Sequence, residues 1–409
     1  MTTYSPHPTP TTTPAPARKK ATPLNMDWGL LLVVGVLAAF GLMMVYSTTF
    51  DWSYRDFNSP TAVFFRQVRS LGIGLVVMFV IARIDYHVWK PLAVPLLGLT
   101  VLALIAVLFF GSRAFGAQRG LFNGSYQPSE VAKLVTIVYL AVWLTSKQER
   151  INDVTYGLIP YAVVVGVLAG LVLLQPDISA TFTLVLVGAT MFFLSGADLL
   201  HIAVGAIVSG LLGWSIVMTS TTARSRIAEY LAGLTNLTET SWHVQQAIIA
   251  FINGGIFGRG LGESHQKFQA LPTPHTDSIF AVIGEELGLV GCLAVIFLFV
   301  VLIWRGARIA ANAKDELGSI IAAGITAWLA YEVIINIGVM AAALPFAGNT
   351  LPFISYGGSS LVVALAGVGL LLSISRHDPD ASIPRKTRAA FDYGRRDGRP
   401  RVSSPRRRE

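Results

Sequence analysis

Long apolar stretches alternate with short polar ones along most of this chain. Each apolar stretch is long enough to cross the hydrocarbon core of a bilayer as a helix, which takes about 17–25 residues. The pattern therefore predicts an all-α integral membrane protein with ten transmembrane helices. The predicted spans are 29–47, 66–82, 91–110, 129–145, 157–174, 179–196, 199–219, 277–304, 318–343 and 358–375.

One connection, residues 220–276 between the seventh and eighth predicted helices, is much longer than the others. Its first part has apolar residues at helical spacing, which is typical of a helix lying on the membrane surface. These residues are Ile227, Tyr230, Leu231 and Leu234. The following run, 242–262, is apolar and rich in glycine, and it fits either a segment that dips into the membrane edge or an ordinary connection.

Composition agrees with this class of protein. Of the 409 residues, 53% are hydrophobic and only 13% are charged, whereas soluble domains carry about 25% charged residues. The single cysteine, Cys292, lies in an apolar run, matches no metal-ligand spacing and has no partner for an intrachain disulfide. We interpret it as a core residue.

The two ends of the chain differ from the membrane domain, which we expect over 28–376. Residues 1–27 are rich in Pro and Thr and lack an apolar run, which predicts a disordered tail. No small-residue cleavage site follows the first span, so that span is expected to remain as a membrane anchor. The basic tail 377–409 is expected to contact anionic lipid rather than nucleic acid.

Positive charge is distributed unevenly between the two sides of the membrane. With ten spans, 21 of the 31 Lys and Arg residues fall in the two tails and in the loops after the second, fourth and eighth helices, all on one side. Nine fall on the other side. Because segments rich in Lys and Arg stay in the cytoplasm, both termini are predicted to be cytoplasmic.

Four short segments combine polar or charged residues with Pro or Gly at the mouth of a span, where ionisable groups are costly and often functional. They follow the third, fifth, seventh and ninth predicted helices, so the span count puts all four on the extracytoplasmic side. They are Gln127–Lys133, Gln175–Asp177, His275–Asp277 and Leu351–Ser360.

The first of these segments suits a helix start, with Pro128 and Ser129 at its beginning and Glu130 in the first turn. Glu130 and Lys133 are three residues apart on one face, so an intrahelical ion pair is the simplest interpretation. Lys133 lies about one turn inside the span, however, where an unpaired ammonium is expensive. It needs a carboxylate, which Glu130 or an outward-facing aspartate must supply.

The segment that ends at Asp277 runs directly into an apolar helix carrying Glu285 and Glu286. Asp277 fits either a functional carboxylate or a residue that stabilises the first turn. At 100° per residue, Glu285 lies about 80° and Glu286 about 180° around the helix from Asp277. The two glutamates cannot both join the Asp277 site, so at least one must pack against another helix.

The two remaining segments also have simpler interpretations. Asp177 follows a proline and fits a helix cap as well as a functional role. The run Tyr356–Ser360 offers small residues where backbone can approach a phosphate closely, but glycines also start and pack transmembrane helices. No Walker A, HExxH or nucleophile-elbow motif is present. An extracytoplasmic enzyme would therefore receive a substrate that is already activated, such as a lipid-linked sugar pyrophosphate.

Four motifs in order resemble a known family: GAQR…QPSEVAKL, LLQPD, GGIFGRGLGESHQKFQALPTPHTDSIFAVIGEELGLVG and LPFISYGGSS. The chain resembles the SEDS proteins (shape, elongation, division and sporulation), membrane glycosyltransferases that polymerise peptidoglycan from lipid II. The likeness covers roughly residues 28–376. The long third motif is more similar to the division members than to the elongation members.

The resemblance implies a ten-helix fold with an outward cavity and a set of site residues. Asp277 is the expected catalytic residue, a general base, and it is expected to face Lys133 and Glu130. The residues expected to bind substrate are Arg119, Asp177, Gln127, Lys267, His275, Ser355, Gly357, Gly358 and Ser359.

The implied reaction is an inverting displacement on the outer face of the bacterial cytoplasmic membrane, at the division septum. Undecaprenyl pyrophosphate leaves and a β-1,4 glycosidic bond forms. Mg²⁺ or Mn²⁺ is one expected means of neutralising the pyrophosphate, and no nucleotide cofactor is expected. The implied partners are lipid II, undecaprenyl-pyrophosphate-linked glycan, a class B penicillin-binding protein and other division proteins.

Two alternatives use the same residues without bond formation. A lipid II flippase would need polar lining on both sides of the bilayer, whereas the motif charges collect on one side. A non-catalytic division scaffold for a class B penicillin-binding protein is favoured by Gly120, which stands where the family usually has Trp.

Overall fold

The computed structural model describes residues 26–114, 117–120, 126–269 and 271–376. The predicted tails, 1–27 and 377–409, lie outside these ranges apart from residues 26 and 27. The described residues form thirteen α-helices and a short antiparallel hairpin. The elements are α1 (Trp28–Phe57), α2 (Ala62–Arg83), α3 (Trp89–Phe110), β1 (Ser112–Ala114), β2 (Ala117–Gly120), α4 (Pro128–Ser146), α5 (Ile159–Leu173), α6 (Ile178–Leu194), α7 (Leu199–Thr219), α8 (Thr221–Gly233), α9 (Trp242–Gly254), α10 (Gln266–Gln269), α11 (Ile279–Asn312), α12 (Glu316–Met340) and α13 (Gly358–Arg376).

All ten predicted spans are helical and correspond to α1–α7 and α11–α13. In the described part of the chain, nine of them are long and apolar enough to cross a membrane, and α6 is slightly shorter at 17 residues. A helix satisfies its own backbone hydrogen bonds, which lipid cannot do. The predicted fold class, a multi-pass all-α membrane protein, is confirmed, with the β1–β2 hairpin as an unpredicted addition.

The first helix is longer than its apolar pattern predicts. It continues past the expected end at 47 to Phe57 and stops at Asn58, whose left-handed backbone (φ 50°) is typical of a helix C-terminus. On this polar extension Asp51 and Arg55 form an i,i+4 ion pair of 2.6 Å, which supports continued helix. The extension brings Trp52 to the functional site described below.

The long connector (residues 220–278) is largely helical. Its first part is α8, as the apolar spacing predicts, with Leu231 and Leu234 exposed on it or directly after it. Its second part, α9, packs against α11 and buries Val244, Ala247 and Ala250.

The connector then enters a break in α11. Gly288 has a non-helical backbone (φ 68°, ψ −166°). On one side of the break, the amides of Arg259 and Gly260 donate to the carbonyls of Glu285 and Glu286 at 3.0 Å each. On the other, the amides of Leu289 and Val290 donate to the carbonyls of Gly255 and Ile256 at 2.9 and 3.1 Å. The break lies nine residues along α11, about 13 Å from its start, so the connector is built into this helix.

The functional site lies at one end of the bundle. The helices α4, α6, α11 and α13 begin at this end and α12 ends there, next to the connector; we call it the connector end. The best enclosed spans are α12 and α13, in which 67% and 72% of the apolar window is buried, whereas α7 has none of its window buried. The site is therefore next to the two most buried helices of the bundle, α12 and α13.

Candidate functional site

Asp177 joins the starts of two helices. It caps α6, because its Oδ1 accepts from the Ala180 amide and the Ser179 hydroxyl, each at 3.2 Å. Its Oδ2 accepts from Gln127 Nε2 at 3.1 Å and from Ser129 Oγ at 3.4 Å, both at the start of α4. The predicted cap and the predicted site residue are thus the same buried carboxylate, with Gln127 beside it.

The segment before α13 joins the same assembly. The backbone N–H of Gln127 donates to Ser359 Oγ at 3.2 Å, and the backbone N–H of Gly357 donates to Gln67 Oε1 at 3.3 Å. Gln67, on α2, also donates through Nε2 to the Ser355 carbonyl at 3.3 Å. Of the predicted substrate-binding residues, Ser359, in the first turn of α13, therefore contacts the start of α4, whereas Ser355 and Gly357 contact Gln67 on α2.

Gly358 is the first residue of α13, and an added Cβ there would lie 2.9 Å from Ser70 Oγ. The close approach indicates a packing role for this glycine. Arg119 lies in β2, but its side chain is outside the described part of the structure.

The triplet His275–Thr276–Asp277 precedes α11 and is held through its backbone. The Tyr356 amide donates to the His275 carbonyl at 2.8 Å, and Ser355 Oγ donates to the Thr276 carbonyl at 2.6 Å. Asn336 Nδ2, on α12, donates to the Asp277 carbonyl at 2.9 Å. The position of the triplet is thus set by α12 and by the segment before α13.

The carboxylate of Asp277 packs against the backbone at Gly348. A Cβ added to Gly348 would lie 2.9 Å from Asp277 Oδ2, so a side chain there would crowd the carboxylate. The Gly348 carbonyl accepts from Ser179 Oγ at 2.9 Å. Asp277 and Asp177 are therefore linked through one short stretch of backbone and one hydroxyl.

The ammonium of Lys133 lies between two carboxylates inside the bundle. Its Nζ donates to Glu130 Oε1 at 2.9 Å and also to Glu332 Oε1, on α12. All three residues are buried. The carboxylate that the sequence requires for Lys133 is thus supplied by Glu130, as predicted, and also by Glu332, which sequence reasoning missed.

A chain of amide side chains connects this cluster to the triplet. Asn349 Nδ2 donates to the Glu332 carbonyl at 3.1 Å. Asn336 Nδ2 donates to the Asn349 carbonyl at 2.5 Å as well as to that of Asp277. Lys133 and Asp277 therefore share one connected polar assembly at the connector end.

Glu332 and Asn336 carried a signal that the sequence reasoning did not use. They are four residues apart within an apolar span, so they lie on one face of α12. Ionisable and amide side chains in such a span are expensive unless paired. Their spacing alone indicates a polar stripe on α12.

Lys267 lies elsewhere, which corrects its assignment to the substrate site. Its Nζ donates to Glu286 Oε1 at 2.7 Å, to the Gly262 carbonyl at 2.7 Å and to Ser47 Oγ at 3.1 Å. Glu286 lies about two turns along α11 from its start and is fully buried. Lys267 thus ties the connector to α1 and α11.

Glu285 also holds the connector, through hydrogen bonds from Ser264 Oγ and from the amides of His265 and Gln266. We predicted that at least one of the two glutamates packs against another helix, and Glu286 does so through Ser47 on α1. The side-chain hydrogen bonds described for Glu285 and Glu286 go to α1 and to the connector rather than to the triplet.

His275 is held by aromatic side chains. Its ring lies at 5.7 Å from that of Tyr356, edge to face, and stacks on Trp52. Burial lowers the pKa of His275 to about 4, so the imidazole is neutral near pH 7. The contacts of the ring with Trp52 and Tyr356 fix its position next to the rest of the triplet.

Helix amino ends at the connector end favour an anion. Several helices begin there, among them α4, α6, α11 and α13, and the amino end of a helix carries a partial positive charge and free N–H groups. Within the described residues, no group of three or more His, Cys, Asp or Glu side chains is arranged to hold a metal ion. Mg²⁺ at such sites is usually held by one or two carboxylates together with substrate phosphates, so the expected Mg²⁺ or Mn²⁺ stays a prediction.

Comparison with known proteins gives consistent matches over most of the chain. A family model described as "Cell cycle protein", for FtsW, RodA and SpoVE, matches residues 27–379. The "Probable peptidoglycan glycosyltransferase FtsW" of Trichlorobacter lovleyi is 40% identical over 355 residues, covering 85% of this chain and 93% of the relative. The "Stage V sporulation protein E" of Bacillus subtilis is 38% identical over 367 residues, covering 88% of this chain and 98% of the relative.

Solved structures show the same fold. A chain from the study "Structural coordination of polymerization and crosslinking by a peptidoglycan synthase complex" superposes with a TM-score of 0.72 at 28% identity, covering 87% of this chain and 99% of that one. The rod shape determining protein RodA of Thermus thermophilus superposes with a TM-score of 0.64 at 26% identity, covering 87% and 98%. The resemblance stated from the motifs is confirmed: the chain belongs to the FtsW/RodA/SpoVE family of cell cycle proteins.

Proposed function

We propose that this protein is a peptidoglycan glycosyltransferase that polymerises lipid II into β-1,4 glycan strands during cell division. The observation that carries the proposal is the assembly at the connector end, where Asp277 and the Lys133 cluster belong to one polar network. Several relatives carry the name "Probable peptidoglycan glycosyltransferase FtsW". The family and the site chemistry therefore point to the same reaction.

In the proposed mechanism Asp277 is the general base. It accepts the proton of the 4-hydroxyl of the acceptor N-acetylglucosamine while that oxygen attacks the anomeric carbon of the growing chain. The bond from that carbon to the pyrophosphate oxygen breaks, and undecaprenyl pyrophosphate leaves with the bonding electrons. Attack from the opposite face inverts the α linkage to β. Base catalysis of this kind contributes about 10²–10⁴-fold.

The departing pyrophosphate needs positive charge. Lys133 and the amino ends of α4, α6, α11 and α13 supply it in a buried setting, where charge stabilisation is strongest. Asp177, Gln127 and Ser359 hold these helix ends together. Their proposed role is to fix the geometry of the anion site.

The proposed orientation puts the connector end outside the cytoplasm, with both termini inside and the protein at the division septum. The excess of Lys and Arg on the opposite side supports this orientation. The proposed partner is a class B penicillin-binding protein, which cross-links the nascent strands. A structural relative comes from a peptidoglycan synthase complex that couples polymerization and crosslinking, which supports a partner of this kind.

The test is polymerisation of lipid II by the purified protein with its partner, read as long glycan on a gel. The wild-type chain should make glycan, and Asp277→Asn should make none while still folding. Normal polymerisation by Asp277→Asn would show that the base is another residue.

The scaffold alternative, favoured by Gly120, predicts no glycan from the wild-type pair. In that case Gly120→Trp, which introduces the usual aromatic, is the informative variant. If this variant makes glycan, the inactivity of the wild-type chain is due to Gly120. A flippase would move lipid II across vesicles without making glycan.

A further inference from the structure

One buried ammonium, that of Lys133, is shared by two carboxylates. We propose that Glu332 is the permanent counterion and positioning residue of Lys133, and that Glu130 is the exchangeable partner that yields to an anionic pyrophosphate. The inference deepens the proposed function and, in its activity arm, rests on it.

The two carboxylates are not equivalent. Glu332 Oε1 accepts from Lys133 Nζ and also from Trp328 Nε1, the latter at 2.7 Å. Glu130 Oε1 accepts from Lys133 alone among the side-chain contacts described. The Glu332 side chain is 1% exposed and that of Glu130 is 9% exposed. More donors and deeper burial make Glu332 the harder partner to displace.

Glu332 is also the better anchored side chain. Trp328, one turn before it on α12, is fully buried, and its ring lies 5.4 Å from Lys133 Nζ. The Glu332 carbonyl accepts from Asn349, which belongs to the segment that holds Asp277. The Asn349 bond fixes the Glu332 backbone, and rotation of the Glu332 carboxylate away from Lys133 would also break its bond with the Trp328 indole, so its position is set by the fold.

Glu130 is placed for exchange. It lies in the first turn of α4, beside Gln127 and the converging helix starts, whereas Glu332 lies two turns from the end of α12. The Oε2 atoms of Glu130 and Glu332 are both buried without a hydrogen-bond partner among the described residues, so the difference lies at Oε1, where Glu130 has one donor and Glu332 has two. A carboxylate with one donor loses less than one with two when it turns to another group.

Charge balance gives the reason for exchange. Two ionised carboxylates around one ammonium leave one surplus negative charge in a dry setting, which is costly. An arriving pyrophosphate adds more negative charge and competes for Lys133. If Glu130 turns to a substrate hydroxyl or takes a proton from solvent, Lys133 keeps Glu332 as counterion and gains the phosphate oxygen as acceptor.

The first test is a double-mutant cycle on thermal stability of the full-length protein in detergent. Glu332→Gln should lower the Tm clearly, and more than Glu130→Gln does. In the Lys133→Met background Glu332→Gln should be neutral or stabilising, because it then removes a carboxylate that has no cation. Glu285→Gln is the matched control, since the decrease in Tm that it causes should be the same with Lys133 and with Met at position 133.

The proposal is overturned if Glu332→Gln costs the same with and without Lys133, or if Glu130 couples to Lys133 as strongly as Glu332 does. These outcomes need no enzymatic activity. Failure of the proposed function, seen as no glycan from the wild-type pair, is therefore distinct from failure of the counterion assignment.

The second test separates positioning from stability. Glu332→Asp keeps the charge but draws the ammonium back by about one methylene, so it should retain most of the Tm. It should lower kcat by about 10²-fold, as a displacement of this size can, with little change in the KM for lipid II. An unchanged kcat in a variant of wild-type stability would show that the position of Lys133 is set without Glu332.

Discussion

The indole of Trp52 stacks on the imidazole of His275, with ring centroids 4.6 Å apart and an interplanar angle of 15°. This contact explains why α1 extends beyond its apolar stretch, since the added turns deliver Trp52 to the residue two positions before Asp277. The first helix thus supports the triplet at His275, whereas α12 holds it at Asp277.

Replacing Trp52 by Ala should remove this support. Loss of the stacked pair and of the buried ring area is expected to cost about 1–3 kcal/mol of unfolding free energy. Polymerisation should fall as well, because the triplet loses one of its fixed neighbours. Tyr54→Ala is the control, since Tyr54 lies on the same extension but is exposed, and it should change stability by less than about 0.5 kcal/mol. Equal effects of the two variants would contradict the supporting role of Trp52.

The depressed pKa of His275 predicts a dependence of stability on pH. Near pH 7 the imidazole is neutral in the folded and the unfolded chain. Between pH 6.5 and about 4 it takes up a proton in the unfolded chain but not in the folded one, so stability falls as the pH falls.

The measurement is the Tm of the wild type and of His275→Phe across this pH range. The Phe variant keeps an aromatic ring against Trp52 but cannot be protonated, so its Tm should fall less on acidification. Parallel curves for the two proteins would mean that His275 takes up its proton equally in both states.

The insertion of the connector into α11 predicts an unequal pair of glycine substitutions. Gly258 and Gly262 both have left-handed backbones, with φ of 80° and 85°. An added Cβ at Gly258 would lie 2.1 Å from the Glu286 carbonyl oxygen, whereas one at Gly262 meets nothing within 4 Å. Both alanine variants bear the backbone cost of about 1–2 kcal/mol.

Only Gly258→Ala adds overpacking, of about 1–3 kcal/mol, so it should unfold at a lower temperature than Gly262→Ala. Thermal unfolding in detergent measures the difference. If Gly262→Ala proves the more damaging, the connector does not enter the helix break as described.

The Lys267–Glu286 pair predicts a charge-dependent loss of stability. Lys267→Met leaves the fully buried Glu286 carboxylate without its cation, which is expected to cost about 3–5 kcal/mol. Adding Glu286→Gln should recover much of the loss, because the amide needs no cation. Folded yield and Tm of the single and double variants test this. A double variant as unstable as Lys267→Met alone would argue against an ion pair at this position.

Much of the architecture follows from the order of apolar and polar residues. Ten spans are readable because a chain in lipid must satisfy its backbone hydrogen bonds locally, so each long apolar run becomes a helix. Counting spans also puts Lys133, Asp177 and Asp277 at the same end of the bundle, since every crossing reverses direction. The Glu130–Lys133 pair is equally local, because residues three positions apart on a helix share a face.

The partners across helices were decided by tertiary structure alone. Glu332 meets Lys133 from 199 residues away, and Lys267 meets Glu286 and Ser47 rather than substrate residues. Periodicity states which face of a helix is polar, but it does not state which neighbour that face meets or how the two helices are rotated. Those choices depend on side-chain packing summed over the whole bundle, and they determine which carboxylate holds the buried lysine.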